Sequence, residues 1–169
     1  MKAVIVFLFI CTCTIPYEEC IGQSNLQFDL DHVVHISGAN LLHEVKFLKV
    51  GKFIELTYWE NGCGPAGPLR RNLRIERNPS FYTIDFCELK KNMTNDELWP
   101  IIDDFSKSLL TMDPKDACTT TKKIVIQNNF AFYLGIDGSC KWKGFTDLTL
   151  SIFNVLPHEP VDKICLKDW

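Results

Sequence analysis

The stretch Phe81-Tyr-Thr-Ile-Asp-Phe-Cys87 precedes an amphipathic segment that runs to Met112, and Asp113-Pro-Lys-Asp-Ala-Cys118 follows that segment. Two cysteines therefore bracket one predicted helix. Most of the remaining chain has the pattern of short strands, so we expect an extracellular β-fold with one face covered by this helix. Covers of this kind often guard a cavity, which favours a binding function over catalysis.

The amino terminus has the layout of a secretory signal peptide. Met1-Lys-Ala-Val-Ile-Val-Phe-Leu-Phe-Ile10 places a basic residue before an apolar run that is too short to span a bilayer. We assign residues 1–16 to this leader, with a cut after Gly22 as the alternative. Residues 17–169 are then expected to form a single secreted domain, soluble and long enough to bury a core.

The cysteine count depends on the position of that cut. Cleavage before Cys20 keeps six cysteines, and cleavage after Gly22 leaves five. An odd thiol in a secreted protein needs an intermolecular partner or stays reactive, so we favour the earlier cut. The six residues expected in disulfides are Cys20, Cys63, Cys87, Cys118, Cys140 and Cys165. Six cysteines allow fifteen pairings, and their spacing alone selects none of them.

Alternating apolar and polar residues predict a mainly β chain with one helix. Two loops rich in glycine, at 60–68 and 135–144, interrupt the pattern. The predicted strands cover residues 26–30, 33–37, 41–50, 53–59, 69–76, 80–86, 122–127, 130–136, 148–153 and 162–166.

The predicted helix carries apolar residues on one side at helical spacing, namely Leu98, Ile101, Ile102, Phe105, Leu109 and Met112. Thr94 and Glu97 have the spacing of a capping box. Pro100 cannot donate a backbone hydrogen bond and clashes one turn back, so we expect the helix proper to begin at Pro100. Its apolar stripe either completes a filled core or lines a cavity.

The net charge of −3 excludes a broadly basic surface of the nucleic-acid-binding type. Four arginines nevertheless fall within one short stretch, at Arg70, Arg71, Arg74 and Arg77. Such a local basic patch could meet an anionic head group. The alternative is a solvated strand face that carries ordinary surface arginines.

Signals of catalysis are weak, and we predict a protein that is not an enzyme and has no cofactor or metal. His32 and His35 are the closest pair of histidines, but their separation puts them on opposite faces of a strand, which is poor metal geometry. Asp103 and Asp104 are adjacent, so their side chains diverge on a helix and do not form a pair of catalytic carboxylates. One N-glycosylation sequon begins at Asn92, just before the helix, in what we expect to be a surface loop.

A family resemblance follows from the order of short motifs along the chain. The motifs are, in chain order, Tyr17-Glu-Glu-Cys20, Val34-His-Ile-Ser-Gly38, Asp85-Phe-Cys87 with a helix that contains Trp99, Cys118, and Leu148-Thr-Leu-Ser-Ile-Phe153 before Ile164-Cys165. Together they resemble the ganglioside-activator-like proteins. Within that group the chain is most similar to the insect chemosensory B proteins. Its architecture is also similar to the ML lipid-recognition domain, a β-fold of two sheets that enclose an apolar cavity. The resemblance therefore implies a mainly β fold, a two-sheet β-sandwich or β-cup with one disulfide-bracketed helix.

In the ganglioside-activator group the first and last cysteines are joined, so the resemblance implies a bridge between Cys20 and Cys165. The helix bracket suggests Cys87 with Cys118, and Cys63 and Cys140 remain as the third pair. The clustered extra cysteines of the vertebrate activator are missing here, so a ganglioside-specific role is not carried over.

The resemblance implies a soluble carrier, likewise secreted and monomeric, for a small lipid or a hydrophobic semiochemical. Contact-pheromone sensing, with cuticular hydrocarbons or fatty derivatives as ligands, is the role found in the similar insect proteins. The resemblance also implies contact with a membrane surface or a receptor. Candidate cavity-lining residues are Leu98, Phe105 and Leu109 from the helix, and Phe47, Phe132 and Phe153 from strands. The alternative is a secreted, disulfide-stabilised protein-interaction module of the salivary or venom type, without a lipid cavity.

Overall fold

A computed structural model describes residues 34–35, 38–61, 68–115, 120–128 and 131–157 of the chain. All of them belong to one unit, Asp31–Trp169. In chain order the elements are β1 (Val34–His35), a 3-10 helix (Gly38–Asn40), α1 (Leu41–Lys46), β2 (Phe53–Asn61), β3 (Leu69–Arg77), β4 (Tyr82–Phe86), β5 (Leu89–Met93), α2 (Asn95–Leu109), β6 (Thr121–Gln127), β7 (Ala131–Asp137) and α3 (Gly144–Phe153).

The described strands form one sheet in the order β1-β7-β6-β2-β3-β4-β5. Strands β2 to β7 pair antiparallel, and β1 joins the edge of the sheet parallel to β7. The mainly β prediction is therefore confirmed. The two-sheet sandwich or cup is not seen among the described residues, which contain a single sheet with three α-helices.

The core lies on one face of this sheet, which we call the helix face. Successive strand residues point to opposite faces, and the fully buried strand residues alternate accordingly. Ile54 and Leu56 of β2 are opposite Ile75 and Leu73 of β3, and all four have no exposed surface. The apolar sides of the helices complete this core.

The helices pack on the helix face through aromatic and aliphatic side chains. Phe145 of α3 stacks on Tyr58 of β2 at 4.6 Å between ring centroids and meets the edge of Phe86 of β4 at 6.0 Å. Buried residues of α1 and α2 extend the core, among them Val45 and Ile102. Burying a large side chain of this kind contributes about 1.5–3 kcal/mol, which makes this layer the main source of stability.

Polar contacts fix the ends of the helices to neighbouring parts of the fold. The buried hydroxyl of Tyr82 donates to the carbonyl oxygen of Val45 at 2.9 Å, at the end of α1. Lys91 Nζ donates to the carbonyl oxygen of Ile152 in α3 at 2.7 Å. Trp142 Nε1 donates to the carbonyl oxygen of Ser108 in α2 at 2.9 Å. These contacts satisfy backbone carbonyls that helix ends leave without an intrahelical partner.

Two segments predicted as strands are helical. Residues 41–46 form α1, because Leu41 and Val45 lie one turn apart and both face the core. Residues 148–153 belong to α3, where Phe145, Leu148 and Ile152 recur at helical spacing and are buried. The prediction of one helix was therefore wrong, since three α-helices pack against the sheet.

The predicted start of α2 was also wrong. The helix begins at Asn95, and Glu97 accepts hydrogen bonds from the Thr94 N–H at 2.7 Å and the Thr94 hydroxyl at 2.9 Å. These two contacts lower the pKa of Glu97 and satisfy the start of the helix. Pro100 is accommodated within α2. Leu98 is fully buried against the core, and this packing together with the capping box holds the first turn helical although Pro100 donates no backbone hydrogen bond.

The predicted bracket of α2 by Cys87 and Cys118 is not seen among the described residues. Cys87, which follows β4, and Cys140, which follows β7, each take part in a disulfide. The other cysteines predicted in bridges lie outside the described residues, as do the leader and the strands predicted at 26–30 and 162–166. Among the described helices, none combines the length and apolar character needed to cross a membrane.

Candidate ligand-binding surface

The face of the sheet opposite the helices, which we call the open face, carries a small group of partly exposed apolar residues. Strand pairing aligns Ile136, Lys123 and Trp59 in one row across β7, β6 and β2. Leu134 and Val125 pair in the row beside it. We call these five residues the open-face patch. Leu134 is 49% exposed and Ile136 is 36% exposed, while the other three are half-buried.

Strand β7 presents this patch because its amphipathic pattern is inverted. A strand that covers a core normally turns apolar residues inward and polar residues outward. In β7 the residues on the helix face are Tyr133, Gly135 and Asp137, and Asp137 has no exposed surface. Leu134 and Ile136 consequently point away from the core. Leu134 and Ile136 therefore add apolar surface to the open face beside Val125 and Trp59.

Contacts on the helix face hold β7 in this register. A Cβ atom added at Gly135 would lie 2.6 Å from Met112 Sδ, so a larger residue there would have to displace the Met112 side chain. The carboxylate of Asp137 accepts hydrogen bonds from the Asp113 N–H at 3.1 Å and from the Ser139 hydroxyl at 2.7 Å. Because a shift of one residue would exchange the faces, these contacts keep Leu134 and Ile136 outward.

Charge is distributed unevenly over the open face. The row of Lys123 continues to Arg70, whose guanidinium lies 5.3 Å from the centre of the Trp59 ring. The acidic residues of this face lie in the rows farther along the strands, and two of them form ion pairs. These pairs are Arg74 with Glu76 at 2.9 Å and Lys90 with Asp85 at 3.3 Å. The patch itself carries one cation and no acidic residue.

The patch is small. Adjacent strands lie about 4.8 Å apart and alternate residues along a strand about 7 Å apart, so its Cα positions span roughly 10 by 7 Å. A stable protein complex buries about 800 Å² on each partner, far more than this footprint offers. The dimensions suit one narrow apolar chain better than a protein surface.

The structure divides the four clustered arginines between the two faces. Arg70 and Arg74 lie on the open face, and Arg71 and Arg77 lie on the helix face. The Arg71 side chain donates to the carbonyl oxygen of Pro157 at 2.9 Å, and burial lowers its pKa. Arg77 donates to Asn95 Oδ1 at 2.6 Å. The stretch therefore does not form one continuous basic patch.

The cavity candidates occupy different environments. Leu98, Phe105 and Leu109 are between 0% and 3% exposed and pack in the core beneath α2. Phe153 packs against Phe86 at 5.8 Å between ring centroids. Phe47, by contrast, is 71% exposed just after α1. These positions do not converge on one site, and lining of an interior cavity stays a prediction.

Phe132 lies in β7, paired along the backbone with Gln127 of β6 and His35 of β1. Its side chain lies outside the described set. The sequon residue Asn92 is exposed, as predicted, but it lies in the edge strand β5 and not in a loop. Its Oδ1 accepts a hydrogen bond from the Thr83 hydroxyl at 2.9 Å. Glycosylation itself stays a prediction.

A depression lies between α1 and α2. It is shallow and is lined by Leu42, Lys46, Asp96, Trp99, Pro100 and Asp103. Lys46 Nζ lies 4.8 Å from the centre of the Trp99 ring, so the cation of this groove already contacts its aromatic residue. The groove offers little apolar surface to a ligand.

The titratable groups near the core form structural contacts. The Tyr58 hydroxyl donates to Glu60 Oε2 at 2.5 Å, and burial followed by the Glu60 contact raises the pKa of Tyr58 above its usual range. Within the described ranges, no three His, Cys, Asp or Glu side chains are grouped to hold a metal ion. That the protein has no catalytic groups, metal or cofactor remains a prediction.

The sequence does contain the signal for the open-face patch. In Tyr133-Leu-Gly-Ile-Asp137 the apolar residues alternate with glycine and aspartate, which predicts a strand but not which of its faces is buried.

Comparisons with protein families, curated proteins and solved structures find no match to this chain. The geometry of the site therefore carries the functional interpretation.

Proposed function

We propose that this protein is a secreted, non-enzymatic carrier of a small lipid or a hydrophobic semiochemical, and that the apolar part of the ligand lies on the open-face patch. The observation that carries the proposal is the inverted pattern of β7, which exposes Leu134 and Ile136 while Asp137 is buried. Contact-pheromone sensing, which the sequence resemblance implies, is a role compatible with such a carrier.

The physics of the patch supports binding without specific polar contacts. Removing one methylene group from water contributes about 0.8 kcal/mol when burial is complete. A chain that lies on an open surface buries only part of each methylene. We therefore expect affinity to rise with chain length by about twofold to fourfold per methylene.

A matched pair of variants tests the location of the ligand. Leu134→Ser removes an apolar side chain from the patch, and Leu150→Ser removes a side chain of similar exposure, 38%, from α3. We expect Leu134→Ser to weaken binding of a fluorescent hydrophobic probe by about tenfold, since it removes most of one leucine contact. Leu150→Ser should leave binding within twofold.

Native mass spectrometry and lipid extraction of the secreted protein test the carrier function itself. Recovery of a defined apolar molecule in stoichiometric amounts supports it. A folded protein that carries no apolar molecule and does not bind the probe would contradict the proposal. The interaction-module alternative would then be favoured.

A further inference from the structure

Lys123 has an unusual position for a surface lysine, because its row neighbours are Ile136 on one side and Trp59 on the other. Its side chain is half-buried. In the part of the chain that the structure describes, Lys123 Nζ forms no ion pair, whereas Lys90 and Lys107 each contact a carboxylate. A lysine stem packs well on apolar neighbours while its ammonium group stays available to an anion.

The surroundings of Lys123 favour an anion over a cation. Trp59 and Arg70 continue its row, and the guanidinium of Arg70 lies over the Trp59 ring. Glu60, the residue next to Trp59, points to the helix face, where it contacts Tyr58. The ammonium group therefore has no acidic neighbour in its row or in the row of Val125 and Leu134.

We infer that the ligand of the open-face patch is a single-chain amphiphile with an anionic carboxylate head, and that Lys123 binds this head while Val125, Leu134 and Ile136 contact the tail. This inference rests on the proposed function. One cation beside a footprint of roughly 10 by 7 Å suits one carboxylate and one chain. A membrane surface would be expected to meet a cluster of basic residues instead.

The test compares dodecanoate with dodecanol, which share a chain length and differ in head-group charge, both kept monomeric in solution. For the wild-type protein at low salt we expect dodecanoate to bind about fivefold more tightly than dodecanol. In 1 M salt this preference should nearly vanish, because the screening length falls to about 3 Å.

Lys123→Met retains an unbranched apolar stem and removes the charge. We expect it to bind dodecanol as the wild type does and to lose the preference for dodecanoate. Lys49→Met, a change at an exposed lysine outside the sheet, is the control and should keep the preference. A circular dichroism spectrum unchanged from the wild type establishes that each variant is folded.

The outcomes separate this inference from the proposed function. Equal binding of dodecanoate and dodecanol, unaltered by Lys123→Met, would overturn the role of Lys123 and leave the carrier function standing. Binding of neither compound would overturn both. Binding to phosphatidylserine vesicles without binding of monomeric dodecanoate would also overturn the inference, since a membrane lipid would then be the partner.

Discussion

The guanidinium of Arg70 lies 5.3 Å from the centre of the Trp59 ring, across the pairing of β2 with β3. A cation over an indole face contributes about 0.5–1 kcal/mol at an exposed site. The contact fixes one side of the Trp59 ring toward β3. The opposite neighbour of Trp59 is Lys123 of the open-face patch, so this tryptophan marks the boundary between the patch and the arginine side of the sheet.

Trp59 should therefore report on ligand binding. We expect an apolar ligand to shift the tryptophan emission of the wild-type protein to shorter wavelength, because the ring loses contact with water. Trp59→Phe should abolish most of this shift and keep an aromatic ring at the site. Trp99→Phe, which changes a tryptophan packed beside α1, should preserve it. A shift that persists in Trp59→Phe and disappears in Trp99→Phe would place the ligand elsewhere.

Phe145 and Phe47 should differ strongly in their contribution to stability. Phe145 is fully buried between Tyr58 and Phe86, whereas Phe47 is 71% exposed. Phe145→Ala should lower the free energy of unfolding by about 3–5 kcal/mol, the range for large cavities in cores. Phe47→Ala should change it by less than about 0.5 kcal/mol. Urea unfolding measures both, and similar losses in the two variants would contradict the described packing.

Tyr58 should make stability fall at high pH. Its pKa in the folded state is raised, chiefly by burial and then by Glu60, above the value near 10 of an unfolded chain. Below about pH 10 the Tyr58 hydroxyl is protonated in both the folded and the unfolded state, so its contribution to the free energy of unfolding is fully present. Above it the unfolded state loses the proton first, and stability falls by up to about 1.4 kcal/mol per pH unit.

The variant Tyr58→Phe removes the titrating hydroxyl and keeps the ring. Urea unfolding of both proteins from pH 9 to 11.5 should show a constant difference up to about pH 10 and a convergence above it. Disulfide exchange at alkaline pH affects the two proteins alike. Parallel curves over the whole range would mean that Tyr58 ionises in the folded state as readily as in the unfolded chain.

The strand order also predicts disulfides that differ from those expected from the sequence. Cys140 Sγ lies 3.6 Å from the carbonyl oxygen of Thr120, and Cys118 precedes Thr120 by two residues. Cys87 follows β4, which is three strand spacings, roughly 14 Å, from β6. Bridged cysteines have Cα atoms within about 7 Å. We therefore expect Cys118 to pair with Cys140 and not with Cys87.

Peptide mapping of the unreduced protein after proteolysis measures this pairing. A linked peptide that contains Cys118 and Cys140 is the expected product, with Cys63 then available to Cys87. Recovery of a peptide that links Cys87 to Cys118 would show instead that the bracket of α2 predicted from the sequence is present.

Much of the sheet could be predicted from the sequence because runs rich in strand-forming residues are separated by turn residues, such as Gly51-Lys52 and Asn78-Pro79. The strands predicted around residues 53–59, 69–76, 80–86, 122–127 and 130–136 correspond to β2, β3, β4, β6 and β7. Strand β5 was missed because its three central residues, Lys90, Lys91 and Asn92, are polar and its position at the edge of the sheet leaves them exposed.

Helix α3 was missed for a different physical reason. In residues 148–153 the alternation of Leu148, Leu150 and Ile152 resembles a strand, but Leu150 is 38% exposed while Leu148 and Ile152 are buried. The spacing of the two buried residues from Phe145 is helical. The local sequence therefore fits both the strand period and the helix period, and the packing of Phe145 against Tyr58 and Phe86 selects the helix.

The open-face patch could not be located from the sequence, since alternation in β7 leaves the buried face undetermined. That choice depends on tertiary contacts, namely Met112 against Gly135 and Asp113 against Asp137. The sequence instead favoured Leu98, Phe105 and Leu109 as cavity residues, because the apolar stripe of a helix has the same pattern whether it lines a cavity or fills a core.

Photo-crosslinking with a dodecanoate that carries a diazirine in its tail distinguishes these two locations most directly. The purified protein is irradiated with the ligand, digested and mapped by mass spectrometry. If the ligand lies on the open face, adducts will concentrate on β6 and β7 between Lys123 and Ile136 and on Trp59, and Leu134→Ser will reduce them. Adducts on Leu98, Phe105 or Leu109 would contradict binding at the open-face patch and place the ligand beneath α2.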